Sequence, residues 1–160
     1  MSDTITNPLD DPTADPFEIA AQAASDIARI TGVERHDIAL TLGSGWGKAA
    51  DLIGETTATI PATDVTGFSK PALAGHVGSL RSILTPSGKR VLVIGARTHY
   101  YENHGVRRVV HSVRTAAATG AKTMVLTNGA GGIKSTWTPG TPVLISDHIN
   151  LTGDSPLEGA

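Results

Sequence analysis

The sequence contains no cysteine, which excludes disulfides and thiolate-bound metals and suits a reducing, cytoplasmic setting. Charge is sparse: Asp, Glu, Lys and Arg make up 18% of the 160 residues, and the formal net charge is −2. Neither a basic field for nucleic acid nor an acidic tail is present. No apolar run approaches the ~20 residues of a membrane span, and Met1 to Asp15 has neither the basic segment nor the apolar core of a secretion signal. None of the six histidines pairs with another in a ligand spacing, so neither a bound metal nor another cofactor is expected. What remains is the profile of a soluble domain for small ligands. A chain of this length suits one core, burying about 68–70% of the surface its unfolded form exposes.

The most chemically dense stretch is Gly95 to Gly105, GARTHYYENHG, directly after the apolar run Val91 to Ile94. The run reads as a buried strand, and an open α/β sheet gathers ligand groups where such strands end. Continued extended geometry places Arg97, His99 and Tyr101 on one side and Thr98, Tyr100 and Glu102 on the other. A guanidinium fork with an imidazole suits phosphate or carboxylate, and a phenol covers an apolar or sugar face.

Along the chain, Met1 to Ala14 has no apolar period and reads as a mobile arm, with the folded domain spanning 15–160. Asp15, Pro16 and Glu18 predict a helix start, with Phe17, Ala20, Ala21, Ala24, Ile27 and Ala28 on one face until Gly32. Asp37 to Leu42 reads as a strand feeding Gly43, Ser44, Gly45, Trp46 and Gly47, then a helical segment from Lys48 to Ile53. Strand, glycine turn and helix make an anion cradle to which Ser44 adds a hydroxyl. GSGWGK lacks both the third glycine of a dinucleotide fingerprint and the hydroxyl residue of a P-loop.

Thr56 to Ile60 reads as a further strand, and Gly67 to Gly78 as a surface loop carrying His76. Ser79 to Leu84 and Arg90 to Ile94 read as a hairpin. Val106 to Thr119 reads as one helix with its valines inward, which assigns His111, Arg107, Arg108 and Arg114 to the solvated side. Two more β-branched runs, Lys122 to Leu126 and Val143 to Ser146, each precede polar turns, the first ending in Thr127 to Gly132 and the second in Asp147, His148 and Asn150. Repeated strand-to-loop exits with intervening helices predict a three-layer α/β fold with ligand groups at one sheet edge.

Three separated segments, LTLGSGWGKAAD, RTHYYENHG and VLTNGAGGIKSTWTPGTPVLISDHINLTG, with AGHVG between them, resemble in order and spacing the trimeric type of purine nucleoside phosphorylase. The resemblance covers Ile38 to Gly153. It implies a three-layer sandwich, a mixed twisted β-sheet flanked by helices, in a cytoplasmic homotrimer that binds neither nucleic acid nor membrane. The implied activity is reversible phosphorolysis of purine (deoxy)ribonucleosides to free base and (deoxy)ribose 1-phosphate, with inorganic phosphate as co-substrate and no cofactor.

Carried over by position, the resemblance makes Ser44, His76, Arg97, His99 and the backbone at Gly129 phosphate-binding. His99 is also the catalytic imidazole, Tyr101 packs on the ribose, and Glu102 orients His99 from behind. Gly129 stands where the family commonly has alanine. Family members also continue beyond the DHINL segment into a part that holds the purine, so the expected alternative is an inactive fragment retaining a phosphate-binding or assembly surface. An oxidoreductase reading, with GSGWG as cofactor loop and Asp64 as ribose acid, leaves the other segments unexplained.

Overall fold

The computed structural model describes residues 7–43, 46–69, 78–102 and 104–157. Helix α1 (Pro16–Thr31) begins where the Asp15 carboxylate accepts the Phe17 N–H at 2.7 Å, and it stops at Gly32, whose φ is 69°. Five strands follow: β1 (Ile38–Thr41), β2 (Glu55–Pro61), β3 (Ser79–Leu84), β4 (Arg90–Ile94) and β5 (Thr123–Leu126). Between β1 and β2 the expected helical segment is a 3-10 helix, Gly47–Leu52.

The sheet order is β2-β3-β4-β1-β5. β2, β3 and β4 are antiparallel neighbours, whereas β1 runs parallel to both β4 and β5. The sheet is therefore mixed. The predicted β3–β4 hairpin forms with Leu80 opposite Ile94 and Leu84 opposite Arg90.

Alternation along the strands divides the core in two. Leu92, Ile94, Ala39, Leu80 and Ile60 pack with Ala23 and Ile27 of α1 and with Ala116. Val91, Val93 and Ile83 point the other way and pack with Ala50 of the 3-10 helix, flanked by Ile38, Leu40 and Ile53. Helices cover the first face and the short 3-10 helix covers part of the second. Each fully buried Ile or Leu contributes about 1.5–3 kcal/mol through the water its surface no longer orders.

Three expectations change. Residues 7–14 of the expected arm are packed from Asn7 onward: Leu9 is buried, and Arg107 donates to the carbonyls of Asp11 (2.9 Å) and Ala14. The single helix expected over Val106 to Thr119 is two, α2 (Gly105–Val109) and α3 (His111–Ala118), separated at Val110 with φ −91° and ψ 0°. Beyond that break the core receives His111, Thr115, Ala116 and Thr119, while Val113 and Ala117 face outward. The polar residues are buried with partners: His111 Nε2–H donates to the Thr66 carbonyl at 2.9 Å and Thr119 donates to the Ala116 carbonyl at 2.8 Å. Arg114 lies over the Phe17 ring at 5.1 Å, so it too is not free surface. Finally, Val143 to Ser146 pairs with no strand among the described residues and is exposed.

A second buried histidine yields a stability prediction. His36 is fully buried, with Nε2 2.9 Å from Ser82 Oγ. Burial, reinforced by the charge of Arg90, pulls its imidazole down from 6.5 to about 4. The unfolded chain takes this proton near 6.5 but the folded chain only near 4, so stability is lost as pH falls through that interval. The loss reaches about 3 kcal/mol at the bottom. His36→Gln should remove that portion of the acid sensitivity; urea unfolding of both proteins at pH 7 and pH 4 measures it, and parallel losses would contradict it.

Candidate anion site at the parallel strand ends

The parallel register aligns Thr41 of β1 with Ile94 of β4 and with Leu126 of β5. Three chain exits therefore leave the sheet side by side at the carboxyl ends of the strands, with β4 and β5 on opposite sides of β1. This is the switch-point crevice where open α/β sheets bind ligands. Arg97 and Gly129 each stand three residues past the aligned row, at the same offset as Ser44 in the sequence.

Thr127 ties these exits together. Its N–H and hydroxyl both donate to the Thr41 carbonyl at 3.0 Å. Its hydroxyl oxygen accepts the Gly43 N–H at 2.9 Å, and its carbonyl accepts from Arg97 at 3.3 Å. This closeness favours glycine at 43, because a Cβ there would stand 3.0 Å from the Thr127 carbonyl oxygen and 3.4 Å from the Asn128 Cα, so the neighbouring exit would have to yield by a few tenths of an ångström. Sequence reasoning passed over Thr127; its one signal is a hydroxyl placed directly at a strand exit.

Past β4 the chain stays extended only briefly, then turns through a 3-10 helix, Tyr100–Glu102. That turn brings Glu102 back beneath His99 and corrects the alternation that placed them on opposite sides. One carboxylate oxygen, Oε1, lies 2.8 Å from both the His99 N–H and His99 Nδ1. Burial pushes the Glu102 carboxyl up, but the two His99 contacts outweigh it and hold it below its ordinary value. Glu102 is therefore an anion and accepts a proton-bearing Nδ1. On the other edge of the ring, Nε2 faces Arg97 Nε at 3.3 Å and a terminal guanidinium nitrogen at 3.1 Å. Arginine has donors alone, so Nε2 carries the lone pair in the neutral ring. The Tyr101 ring stacks on His99 with centroids 4.8 Å apart and remains exposed.

The structure thus brings Arg97, His99, Tyr101 and Glu102 into one contact chain, with Gly129 exposed on the exit from β5, across β1. Ser44 and His76 lie outside the described residues. Asp147, His148 and Asn150 are exposed and, among the described residues, bond locally, as in the Asn150 side chain donating to the Asp154 carbonyl at 2.9 Å. Among the described residues no group of three or more His, Asp or Glu is gathered to hold a metal ion. An exposed guanidinium beside an oriented imidazole and a glycine-rich backbone turn is chemistry for a tetrahedral anion.

Known proteins resemble this chain along most of its length. Residues 37–160 match the phosphorylase superfamily. The chain is 60% identical over 158 residues to a purine nucleoside phosphorylase of Cellulomonas sp, covering 96% of this chain and 56% of that protein. Among solved structures, a purine nucleoside phosphorylase in complex with ribose 1-phosphate superposes with a TM-score of 0.68 at 30% identity, over 79% of this chain and 46% of the other. The Schistosoma mansoni purine nucleoside phosphorylase in complex with inosine gives 0.65 at 30% identity, over 76% and 41%. The chain spans about half the length of the curated relatives it matches.

The His99 arrangement makes a spectroscopic prediction. Nitrogen-15 spectra at a pH where the ring is neutral should show the proton of His99 on Nδ1, and Glu102→Gln should weaken that preference. A neutral ring protonated on Nε2 in the unsubstituted protein would contradict the geometry.

Proposed function

The chain belongs to the phosphorylase superfamily, and on that premise we propose that it supplies the phosphate-holding part of an enzyme for phosphorolysis of purine nucleosides. The observation that carries the reading is the Arg97–His99–Glu102 chain at the aligned ends of β1, β4 and β5. The superposing structures hold inosine in one case and ribose 1-phosphate in another, a substrate and a product of that reaction.

In this reading Arg97 grips phosphate with its fork, and the N–H at Gly129 and the hydroxyl of Ser44 complete the cradle. An oxygen of phosphate attacks C1′ as the bond from C1′ to the purine nitrogen breaks; the bonding electrons leave with the purine, which takes up a proton. Positive charge grows on the ribose, and the phosphate beneath it acts as nucleophile and counter-charge. Two unit charges 4 Å apart attract by ~1 kcal/mol in water and ~4 kcal/mol at an effective dielectric of 20, so the site gains from being covered. His99 acts as the catalytic imidazole: its Nε2 lone pair accepts a phosphate hydroxyl, while Glu102 holds the opposite nitrogen. Tyr101 presents a flat face to the sugar, and His76 reaches the phosphate or the ribose 5′ end.

The resemblance also supports a homotrimer in the cytoplasm that uses no cofactor beyond its co-substrate phosphate. No helix among the described residues is long and apolar enough to cross a membrane. The fragment alternative, with phosphate binding but no turnover, is less favoured given the identity to named phosphorylases.

Calorimetry tests the central assignment. Arg97→Ala should weaken phosphate binding at least tenfold, the value of one lost charge-assisted contact, while Lys89→Ala on the β3–β4 turn at the opposite end of the sheet should not. Unchanged affinity in folded Arg97→Ala would remove Arg97 from the site. Phosphate-dependent release of hypoxanthine from inosine by the same chain would exclude the binding-only alternative.

A further inference from the structure

Arg108 joins three parts of the chain that are remote in sequence. Its Nε donates to the Asp10 carboxylate at 2.6 Å and a terminal nitrogen donates to the other oxygen of the same carboxylate, a two-pronged pairing. Another terminal nitrogen donates to Ser69 Oγ at 3.1 Å. The Arg108 side chain is only 12% exposed and that of Asp10 35%, so the guanidinium is the buried half of the pair. The hydrogen bonds and charge of Arg108 hold the Asp10 carboxyl below its ordinary value.

The neighbouring contacts all converge on one turn. Asn7 Nδ2 donates to the Gly67 carbonyl at 2.9 Å, from the same N-terminal segment that Arg107 grips at Asp11 and Ala14. From the far side, Asp26 accepts the Thr66 N–H at 3.1 Å and its hydroxyl at 2.6 Å. His111 donates from Nε2 to the Thr66 carbonyl and stands against Gly67, where a Cβ would lie 2.5 Å from that Nε2 and φ is +81°. Gly67 and Phe68 then share a cavity of about 10 Å³ with Arg108 and with Ala96 and Thr98, room for about one water. Ala96 and Thr98 are the residues on either side of Arg97.

We propose that Arg108, latched to Asp10, is a positioning residue that seats the Gly67–Ser69 turn against Ala96 and Thr98 and so fixes the direction in which Arg97 and His99 are offered to the anion. Without the latch, the guanidinium that donates to Ser69 is no longer held by the Asp10 carboxylate and the N-terminal segment loses its anchor, while both core clusters stay intact. The effect is on the site and the turn, not on global stability. This rests on the phosphate reading for its consequence, whereas the latch itself is tested apart from it.

The test compares the 160-residue chain with Asp10→Asn and with the exchanged pair Asp10→Arg/Arg108→Asp, in which Ser69 can donate to the new carboxylate. Three quantities are read: amide hydrogen exchange at Gly67 to Ser69, affinity for inorganic phosphate, and the urea midpoint. Asp10→Asn should speed exchange at the turn about fivefold and weaken phosphate binding by a similar factor, the size of one lost ion pair of this kind, with the midpoint unchanged; the exchanged pair should recover both. Unaltered exchange in Asp10→Asn overturns the latch. Faster exchange with undiminished phosphate affinity, or an affinity that falls only in step with the midpoint, overturns the positioning role. Absence of phosphate binding by the unsubstituted chain defeats the functional reading instead, and the exchange rates still decide the latch.

Discussion

The register of β1 against β4 and β5 is the constraint on which the site depends. Aligning Thr41, Ile94 and Leu126 converts three segments separated by 32 to 85 residues of chain into neighbours at one edge. Because side chains alternate along a strand, a slip of one residue would invert the core faces of Leu92 and Val93 and carry Arg97 to the wrong side. The Thr127 bonds to Thr41, Gly43 and Arg97 extend that register one step beyond the sheet. Hydrophobic burial thus sets positions that the polar site then uses.

Three histidines show how environment divides one residue type among roles. His36 and His111 are buried, and burial is the leading cause that lowers both imidazoles, keeping them neutral parts of the packing. His99 is partly exposed and is held between a carboxylate on Nδ1 and a guanidinium on Nε2. Its ring orientation is fixed before any ligand arrives. Such preorganisation lowers the cost of aligning groups on binding and keeps a chosen nitrogen facing the anion.

Much of this was legible in the sequence for identifiable reasons. Asp15-Pro16 and Gly32 bracket α1 because caps are local chemistry, and the two short runs Ser79–Leu84 and Arg90–Ile94, parted by Pro86, Ser87 and Gly88, state the hairpin. The Arg97–His99–Tyr101 grouping followed from strand alternation, but the return of Glu102 depended on a turn that alternation cannot express. The inward face of α3 was missed because His111 finds its partner in Thr66, 45 residues away, a tertiary fact, and Thr115 then faces His111 from one turn on. For the same reason Arg107 and Arg108 looked like solvated surface and the N-terminal segment looked like an unattached arm: their contacts lie more than 90 residues apart. Val143 to Ser146 has strand composition without a strand, since pattern alone does not provide a neighbour to pair with.

The most direct test of the central claim is a crystal structure of this chain grown with phosphate. The account predicts a tetrahedral anion at the carboxyl ends of β1, β4 and β5, with Arg97 turned from His99 Nε2 onto the anion, the His99 ring still held by Glu102, and the backbone N–H at Gly129 within hydrogen-bonding reach. Phosphate bound elsewhere, with Arg97 still resting on His99, would contradict it.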